Sequence, residues 1–308
     1  MEVATSTVEI PLGSQYNIIQ IDIRREDLIH PTIGGNKWRK LKYNLEQAKL
    51  RGNSTILTFG GAYSNHISAT AAAGKLYGFE TIGVIRGEEH LPLNPTLSNA
   101  VSWGMKLHYL DRSTYKEKDS FEVKEQLCDQ LGAFYMIPEG GSNYYGLNGC
   151  MEILTKEDEQ YTHILCPAGT GCTAAGIALM LKPHQKLLVF PALKGGAFIK
   201  DEMIRFIHMI DADQEFVEDI MSRVELVTDY HFGGYAKISP ELIEFLGEFY
   251  NAHHIKWDAI YNGKMAYGLL DLIKKGRFSQ KDKLLVIHTG GLQGIEGIEQ
   301  RIGEKIYP

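Results

Sequence analysis

The sequence predicts an α/β fold in which helices cover parallel β-sheets. Short apolar runs rich in β-forming residues alternate with helical patterns along the chain, and this alternation is typical of parallel sheets. Glycine-marked segments follow several of the runs, where a strand would give way to a helix. The predicted strands cover residues 54–59, 81–86, 106–110, 163–166, 187–191, 224–228 and 284–288.

Three helices are predicted from the spacing of their apolar residues. Residues three or four positions apart lie on one face of a helix. The most hydrophilic stretch, residues 111–119, is expected to be an exposed loop instead. The helical spacing is found at Trp38, Leu41, Leu45 and Ala48, at Ala69, Ala73 and Leu76, and in the nearly all-apolar stretch 174–181.

The composition is that of an ordinary globular protein and excludes several classes. The chain has 308 residues, enough for one large core or for two lobes. Its 32 basic and 38 acidic residues give a net charge of -6, without a basic run for nucleic acid. No stretch of about 18 apolar residues predicts a membrane span, and the polar first 14 residues do not resemble a signal peptide. We therefore expect a cytoplasmic protein that binds neither nucleic acid nor a membrane.

The four cysteines predict no metal site. Cys128, Cys150, Cys166 and Cys172 form no CxxC pair and match no zinc-module spacing. We expect buried, reduced thiols, as is usual for free cysteines. Cys172 lies within a glycine loop, where a small side chain that lets the backbone turn is favoured over a nucleophile.

A glycine loop between a predicted strand and a predicted helix is the first candidate binding site. Free N–H groups and the helix dipole at such a helix start favour a phosphate, and two threonine hydroxyls add donors. The glycine spacing departs from the dinucleotide fingerprint, and a loop that only packs the helix on the strand is the alternative. The loop consists of Gly169, Thr170, Gly171, Cys172 and Thr173.

Lys37 is the candidate reactive amine. It follows two glycines at a predicted helix start, with Arg39 and Lys40 close behind. Neighbouring cations and partial burial lower the pKa of a lysine, which favours the free amine that forms a Schiff base. Taken alone, an exposed lysine in a basic turn is the more common case.

The polar segment 64–66 follows a predicted strand and begins an alanine-rich helix. Ser64 and the N–H groups of the helix start can donate hydrogen bonds to a carboxylate. Asn65 can both donate and accept, which suits a phenolic oxygen beside an imine. His66 either contacts a substrate or caps the helix, and a capping role for the serine and the asparagine is the alternative.

Thr289 ends the last predicted strand, before two glycines. Open α/β sheets bind ligands at the carboxyl edge of their strands, so a hydroxyl there can face the nitrogen of a heterocycle. A lysine amine, an anchored phosphate and a partner for a ring nitrogen are what pyridoxal 5'-phosphate requires of a protein. The four segments together predict a site for this cofactor.

Six motifs in a fixed order extend this interpretation to most of the chain, from about residue 30 to about residue 294. They are Gly35-Asn36-Lys37-x-Arg39-Lys40-Leu41, Ser64-Asn65-His66, Pro138-Glu139-Gly140-Gly141-Ser142-Asn143, the loop 169–173, Tyr261-x-Gly263-Lys264 and Thr289-Gly290-Gly291. The chain resembles the fold type II pyridoxal-phosphate family, in the branch of 1-aminocyclopropane-1-carboxylate deaminase and D-cysteine desulfhydrase.

The resemblance implies two three-layer α/β/α domains with the cofactor between them, as in the tryptophan synthase β chain. We expect residues 52–153 to form the smaller domain, and residues 1–51 and 154–308 to form the larger, cofactor-binding one. The resemblance also implies that Lys37 holds the cofactor, that Asn65 lies near its phenolic oxygen and that the loop 169–173 binds its phosphate.

Three departures from the family pattern are expected near the substrate. Tyr63 replaces a glutamine, Trp38 replaces a small residue, and residues 234–238 differ from the family's Gly-Tyr-Gly-apolar-Pro. A fourth bears on the reaction. Asn262 lies where the deaminase has a glutamate for a protonated ring nitrogen, while Thr289 matches the hydroxyl of the desulfhydrase. A neutral hydroxyl weakens the electron sink, which suffices to expel a thiolate but suits the opening of a cyclopropane less well.

The sequence therefore predicts a homodimeric enzyme that acts on a small amino acid, with D-cysteine converted to pyruvate, sulfide and ammonia as the leading reaction. 1-Aminocyclopropane-1-carboxylate deaminase is the alternative, and a catalytically silent ligand-binding protein on the same fold is the rival from another class. Lys37 would take the Cα proton and Ser64 would bind the carboxylate. Asn65 and His66 would lie at the substrate, with Tyr235 and Tyr261 lining the pocket and gating protons.

Overall fold

The protein folds into two β-sheets covered by helices, in a computed structural model that describes residues 3–11 and 18–308. Residues 1–2 and 12–17 lie outside the described residues, and the prediction for the polar N-terminal stretch falls partly on them. Parallel strands joined through helices make up most of both sheets, which confirms the predicted α/β class.

The described residues form ten strands. All seven predicted strands are among them, with ends within two residues of the predicted ones, and β1, β2 and β6 were not predicted. The strands are β1 Thr5–Pro11, β2 Ile18–Arg24, β3 Thr55–Gly60, β4 Glu80–Arg86, β5 Met105–Leu110, β6 Tyr135–Ile137, β7 His163–Ala168, β8 Lys186–Pro191, β9 Val224–Leu226 and β10 Leu284–Ile287.

The same residues form twelve α-helices. The three predicted helices correspond to α1, α2 and α7, and the predicted apolar face of α1 packs into the core. The helices are α1 Asn36–Leu50, α2 Asn65–Tyr77, α3 Pro95–Ser102, α4 Arg112–Lys116, α5 Phe121–Leu131, α6 Tyr144–Met151, α7 Cys172–Leu179, α8 Ile199–Ile207, α9 Gln214–Ser222, α10 Pro240–His253, α11 Asn262–Lys274 and α12 Ile295–Ile302.

The larger sheet has the strand order β1-β2-β10-β7-β8-β9, in which β1 is antiparallel to β2 and the other pairs are parallel. Its central strands are buried on both faces. Along β10, Leu285 and Ile287 face one apolar cluster while Leu284 and Val286 face another. Strands buried on both faces read as continuous apolar runs, which is why the sequence marks them so clearly.

The smaller sheet has four parallel strands in the order β5-β4-β3-β6. Its strands lie within residues 55–137, whereas the strands of the larger sheet come from residues 5–24 and 163–287. This distribution supports the division into a small domain at 52–153 and a large domain at 1–51 and 154–308, which stays a prediction. Among the described residues, no helix is both long enough and apolar enough to cross a membrane.

The expectation of a loop at residues 111–119 is wrong in part, because α4 lies within it. Asp111 caps this helix, accepting hydrogen bonds from the backbone N–H groups of Ser113 and Thr114 at 2.9 and 3.1 Å. Tyr115 is buried on its inner face. A local cap and one buried ring are enough to order a hydrophilic segment.

Candidate active site

A cavity of about 600 Å³ lies at the carboxyl ends of β3, β7 and β10. Strands β7 and β10 are parallel neighbours, so the loops that follow them meet at one edge of the larger sheet. The loop after β3 brings in the smaller sheet. Eleven predicted site residues line the cavity, namely Lys37, Ser64, Asn65, His66, Gly169, Thr170, Gly171, Thr173, Tyr235, Tyr261 and Thr289.

Cys172 is the predicted site residue that the cavity lining does not include. Its side chain is fully buried in the core cluster that also contains Cys150. This agrees with a small residue that allows the turn rather than with a nucleophile. A phosphate at the start of α7 would meet Cys172 through its backbone alone.

Lys37 is the second residue of α1 and extends into the cavity. Burial lowers the pKa of its amine to about 7, and repulsion from Lys40 contributes in the same direction. Its Nζ donates a hydrogen bond to Asn36 Oδ1 at 3.0 Å. Arg39, expected as a second cation beside it, is instead paired with buried Glu26 at 2.9 Å. Near neutral pH, a large fraction of Lys37 is therefore the uncharged, nucleophilic amine.

Gly35 fixes the start of α1 against the end of β10. The backbone N–H of Asn36 donates to the carbonyl oxygen of Thr289 at 3.1 Å. A Cβ on Gly35 would lie 1.9 Å from that oxygen, and Gly35 has a φ of +68°. Only glycine allows both this conformation and this approach. Lys37 and Thr289 are thereby held at one end of the cavity.

The loop 169–173, which we call the anion cradle after its predicted role, contributes to the wall of the cavity. Gly171, with a φ of +80°, precedes α7, and no side chain caps the N–H groups of that helix start. Lys40 is buried beside the loop and donates to Ser142 Oγ at 3.3 Å. Ser142 Oγ in turn lies 2.7 Å from Thr170 Oγ1. An ammonium group, two hydroxyls and a helix start together suit a phosphate.

Lys40 was predicted only as a cation near Lys37, and no role was predicted for Ser142. Both lie in motifs that carry the family resemblance, and that was the available signal. The sequence alone does not tell in which direction the Lys40 side chain points. Thr173, a predicted donor to the phosphate, accepts a hydrogen bond from Asn36 Nδ2 at 2.9 Å, which leaves its own hydroxyl proton available. It thus links the anion cradle to the residue next to Lys37.

Ser64 caps α2, since its Oγ accepts from the N–H groups of His66 and Ile67 at 3.2 and 3.3 Å. The capping role given as the alternative is therefore present. These two bonds use only the lone pairs of the hydroxyl, so its proton stays available for an anion in the cavity. Asn65 accepts a hydrogen bond from Gln293 Nε2, which leaves its own amide N–H groups for a ligand.

His66, predicted either to contact a substrate or to cap the helix, lines the cavity, and Ser64 rather than His66 caps α2. The Nε2 atom of His66 lies 2.8 Å from Thr58 Oγ1, and that hydroxyl already donates to the carbonyl oxygen of Ile137. Nε2 must therefore carry the proton, which leaves Nδ1 as a hydrogen-bond acceptor. Burial keeps the pKa of His66 well below its ordinary value. Nδ1 has no hydrogen-bond partner in the described part of the chain.

Tyr235 and Tyr261 form one wall of the cavity, with ring centroids 6.0 Å apart in an edge-to-face arrangement. Burial, together with the adjacent Tyr235, raises the pKa of Tyr261 well above its ordinary value. Tyr261 therefore stays a neutral phenol that can donate a hydrogen bond to a bound ligand.

Thr289 and Asn262 lie next to each other at the end of β10. Asn262 Oδ1 accepts hydrogen bonds from the backbone N–H and the hydroxyl of Thr289, at 2.8 and 3.1 Å. Asn262 Nδ2 donates to Asp258 Oδ2 and to the carbonyl oxygen of Gly290. Asp258 was not among the predicted site residues, although it lies three residues before Tyr261.

Of the three departures from the family pattern, the structure places two at the cavity and one away from it. Tyr63 and Tyr235 line the cavity, as expected. Trp38 does not, and its predicted position near the substrate is wrong. Its ring stacks on His30 and Tyr77, with centroids 5.0 and 5.9 Å away. Trp38 lies on the side of α1 that faces away from the cavity. Its indole ring therefore packs against an apolar cluster of the smaller sheet.

The protein has an α/β fold, and one cavity is lined by Lys37 and by the glycine loop 169–173. A family model described as "Pyridoxal-phosphate dependent enzyme" matches residues 2–290. The chain therefore belongs to the pyridoxal-phosphate dependent enzyme family.

Relatives and solved structures agree with this membership. A Pyrococcus horikoshii protein is 34% identical over 286 residues, which is 88% of this chain and 84% of the relative. A Thermotoga maritima protein is 31% identical over 303 residues, 94% of each. Both are provisionally named 1-aminocyclopropane-1-carboxylate deaminase.

Among solved structures, an "ACC deaminase homologue" has a TM-score of 0.79 at 29% identity, covering 97% of this chain and 92% of its own. A hydrogen sulfide-producing enzyme from Fusobacterium nucleatum, with a TM-score of 0.65 and 16% identity over 94% of this chain and 96% of its own, shares the fold. These neighbours confirm the fold type II architecture.

Proposed function

We propose that the protein is a pyridoxal-phosphate-dependent deaminase that converts a small amino acid into a 2-oxo acid and ammonia. The observation that carries this proposal is the position of Lys37. Its amine has a pKa lowered to about 7 and lies in the same cavity as the anion cradle and Thr289. A lysine that attacks a carbonyl must be neutral and accessible to a ligand, and Lys37 combines a lowered pKa with a place in the lining of the cavity.

The residues of the cavity fit the cofactor of the family. Lys37 supplies the amine for covalent attachment, and the loop 169–173 with Lys40 supplies donors and charge for the phosphate. Asn65 has free amide N–H groups for the phenolic oxygen, and Thr289 offers a hydroxyl to the ring nitrogen.

When bound, the cofactor supplies an electron sink for the charge that develops at the substrate's α-carbon. The chain supplies the remaining functions. Ser64 donates a hydrogen bond from its hydroxyl to the substrate carboxylate and orients the amino acid. With D-cysteine as the substrate, Lys37 in its neutral form accepts the α-proton. 1-Aminocyclopropane-1-carboxylate carries no α-hydrogen, so this step applies to D-cysteine and not to the cyclopropane amino acid. Tyr235 and Tyr261 form one wall of the cavity, and the neutral phenol of Tyr261 donates a hydrogen bond to the bound substrate.

Two substrates are supported by different observations. The names of the relatives support 1-aminocyclopropane-1-carboxylate, and they support it better than D-cysteine, the leading prediction from the sequence. D-Cysteine is favoured by one feature of the site, because Asn262 and Thr289 are neutral where the deaminase pattern has a carboxylate. Expulsion of a thiolate requires less electron withdrawal than the opening of a cyclopropane.

The test is a comparison of the two substrates at matched concentrations with the cofactor-loaded protein. Ammonia is measured as the common product, with 2-oxobutanoate from the cyclopropane amino acid and pyruvate plus sulfide from D-cysteine. L-Cysteine and D-serine complete the set, and Lys37→Ala is the inactive control. Each tenfold preference corresponds to about 1.4 kcal/mol of transition-state stabilisation. Loaded protein that releases ammonia from none of the four would contradict the proposal and favour the silent ligand-binding protein.

The homodimer and the cytoplasmic location also stay predictions. Sedimentation equilibrium of the loaded protein measures the first, and fractionation of the source cells measures the second. A monomer at micromolar concentration, or recovery outside the cytoplasmic fraction, would contradict them.

A further inference from the structure

We propose that Asp258 favours the protonated form of the cofactor's ring nitrogen, acting through Asn262 and Thr289. This inference rests on the proposed function, in which the ring nitrogen faces Thr289. Asp258 is a positioning residue in this scheme, since it reaches the cofactor only through the other two. The three residues form a continuous hydrogen-bond chain from a buried carboxylate to the wall of the cavity.

The orientation of the Asn262 amide is fixed by its partners. Its Nδ2 lies 2.5 Å from Asp258 Oδ2 and 2.8 Å from the carbonyl oxygen of Gly290, and both of these atoms are acceptors. Its Oδ1 accepts from the backbone N–H of Thr289 at 2.8 Å. A flipped amide would place an N–H group against an N–H group and an oxygen against a carboxylate. The side chain is also buried, with 1% of its surface exposed.

The fixed amide determines the direction of the Thr289 hydroxyl. Asn262 Oδ1 lies 3.1 Å from Thr289 Oγ1 and can only accept, so the hydroxyl proton points at Asn262. The lone pairs of the hydroxyl then face the cavity. A hydroxyl in this state accepts a hydrogen bond, and a ring nitrogen can supply one only when it is protonated. The geometry therefore selects a protonated ring.

Asp258 strengthens this selection. It is 2% exposed, and Oδ1 accepts from the N–H groups of Ile260 and Tyr261 at 2.9 and 2.8 Å. Oδ2 accepts from the backbone N–H of Asn262 at 2.9 Å as well as from its side chain. Every near partner is a donor, which suits an ionised carboxylate. Its charge polarises the Asn262 amide and, through it, makes Thr289 Oγ1 a stronger acceptor.

In this arrangement the carboxylate of Asp258 does not contact the ring nitrogen directly. The hydrogen-bonded side chains of Asn262 and Thr289 lie between them. These neutral side chains pass on part of the effect of the carboxylate. This makes the electron sink stronger than a lone threonine hydroxyl would make it, and it reduces the difference between the two candidate substrates. A measurement of the protonation state of the ring nitrogen distinguishes this hydrogen-bond chain from an isolated threonine hydroxyl.

The test measures that protonation by ¹⁵N NMR of the loaded protein, with the cofactor labelled at its ring nitrogen and the pH held at 7.5. The wild-type protein should give the chemical shift of a protonated ring. Asn262→Leu keeps the Asp258 charge and the backbone hydrogen bonds that Asp258 accepts, but it breaks the chain of side-chain hydrogen bonds. It should lower the ratio of protonated to neutral ring at least tenfold, about 1.4 kcal/mol. Thr289→Val and Asp258→Asn should have the same effect.

Asp27→Asn is the matched control. Asp27 is also a buried carboxylate at this edge of the sheet, 3.7 Å from His288, but it is not part of the chain. Its replacement should leave the ring signal unchanged. An altered signal in Asp258→Asn with an unaltered one in Asn262→Leu would mean that the charge acts through space, which would overturn the relay. So would a neutral ring in the wild-type protein, although the proposed function would survive it. Protein that takes up no labelled cofactor would instead contradict the proposed function.

Discussion

Replacement of Gly35 by alanine should disrupt the site through one added methyl group. Gly35 has a φ of +68°, where alanine is disfavoured by about 1–2 kcal/mol. The new Cβ would also lie 1.9 Å from the carbonyl oxygen of Thr289 and 2.5 Å from its carbonyl carbon. Both are backbone atoms, so the start of α1 must move away from the end of β10. Such overpacking adds about 1–3 kcal/mol.

The expected loss for Gly35→Ala is therefore about 2–5 kcal/mol in the free energy of unfolding of the apoprotein. Gly52→Ala is the control. Gly52 has a nearly equal φ of +71°, and a Cβ there would meet no atom within 4 Å. It should lose only the backbone contribution, about 1–2 kcal/mol. Guanidinium unfolding of both variants, monitored by circular dichroism, measures the difference.

The same two variants show whether Gly35 affects cofactor binding as well as the stability of the apoprotein. Because Gly35 holds Lys37 near Thr289, Gly35→Ala should lower the affinity for pyridoxal phosphate at least tenfold, while Gly52→Ala should leave it unchanged. Affinity is measured by absorbance titration at a temperature where both apoproteins are folded. Equal destabilisation by the two variants, with unchanged affinity in both, would refute the close approach of Gly35 to Thr289.

Three other predictions concern the amine and the anion cradle. Covalent attachment of the cofactor should speed up from pH 6 to pH 8, because burial lowers the pKa of Lys37 to about 7; stopped-flow absorbance measures the rate, and a flat profile over this range would count against the lowered pKa. Lys40→Met removes a buried cation, so it should weaken binding of the cofactor at least tenfold and raise the pKa of Lys37. The absorbance titration measures the affinity, and the pH profile measures the pKa. An unchanged affinity would exclude Lys40 from the phosphate site. Gly171→Val should lower cofactor affinity more than apoprotein stability, because Gly171 shapes the cradle at a φ of +80°. The control is Gly78→Val, since Gly78 has a φ of +75° and open space around it. Equal effects of the two substitutions on cofactor affinity would place the cradle elsewhere.

Much of the fold could be predicted because the central strands are buried on both faces. Seven strands were predicted from their apolar runs. The loops after β7 and β10 meet at the carboxyl edge of the larger sheet, and the loop after β3 comes from the smaller sheet. Strand β2 was missed although Ile19, Ile21 and Ile23 alternate with polar residues and are buried. In β2 the apolar residues alternate with polar ones instead of forming a continuous apolar run, and this alternation is what predicts a half-buried strand. Strand β1 buries only Val8, so little in its sequence marks it.

The site was predicted by residue type but not by side-chain direction. Glycine loops, a lysine and a terminal threonine mark where a ligand can bind, and eleven of those residues meet in one cavity. The sequence did not indicate that Lys40 turns toward the anion cradle or that Trp38 turns away from the cavity. Nor did it reveal Asp258, because a hydrogen-bond chain between residues 258, 262 and 289 depends on how α11 packs beside β10.

The attachment point of the cofactor tests the central claim most directly. The protein is loaded with pyridoxal phosphate, reduced with borohydride, digested and analysed by mass spectrometry of the peptides. The modified residue should be Lys37, and Lys37→Ala should give no trapped adduct. Lys264 is the strongest competitor, since burial lowers its pKa to about 8, but its Nζ donates to the carbonyl oxygens of His231 and Gly234 at 2.9 and 2.8 Å. An adduct on Lys264 or Lys40 in the wild-type protein would contradict the account.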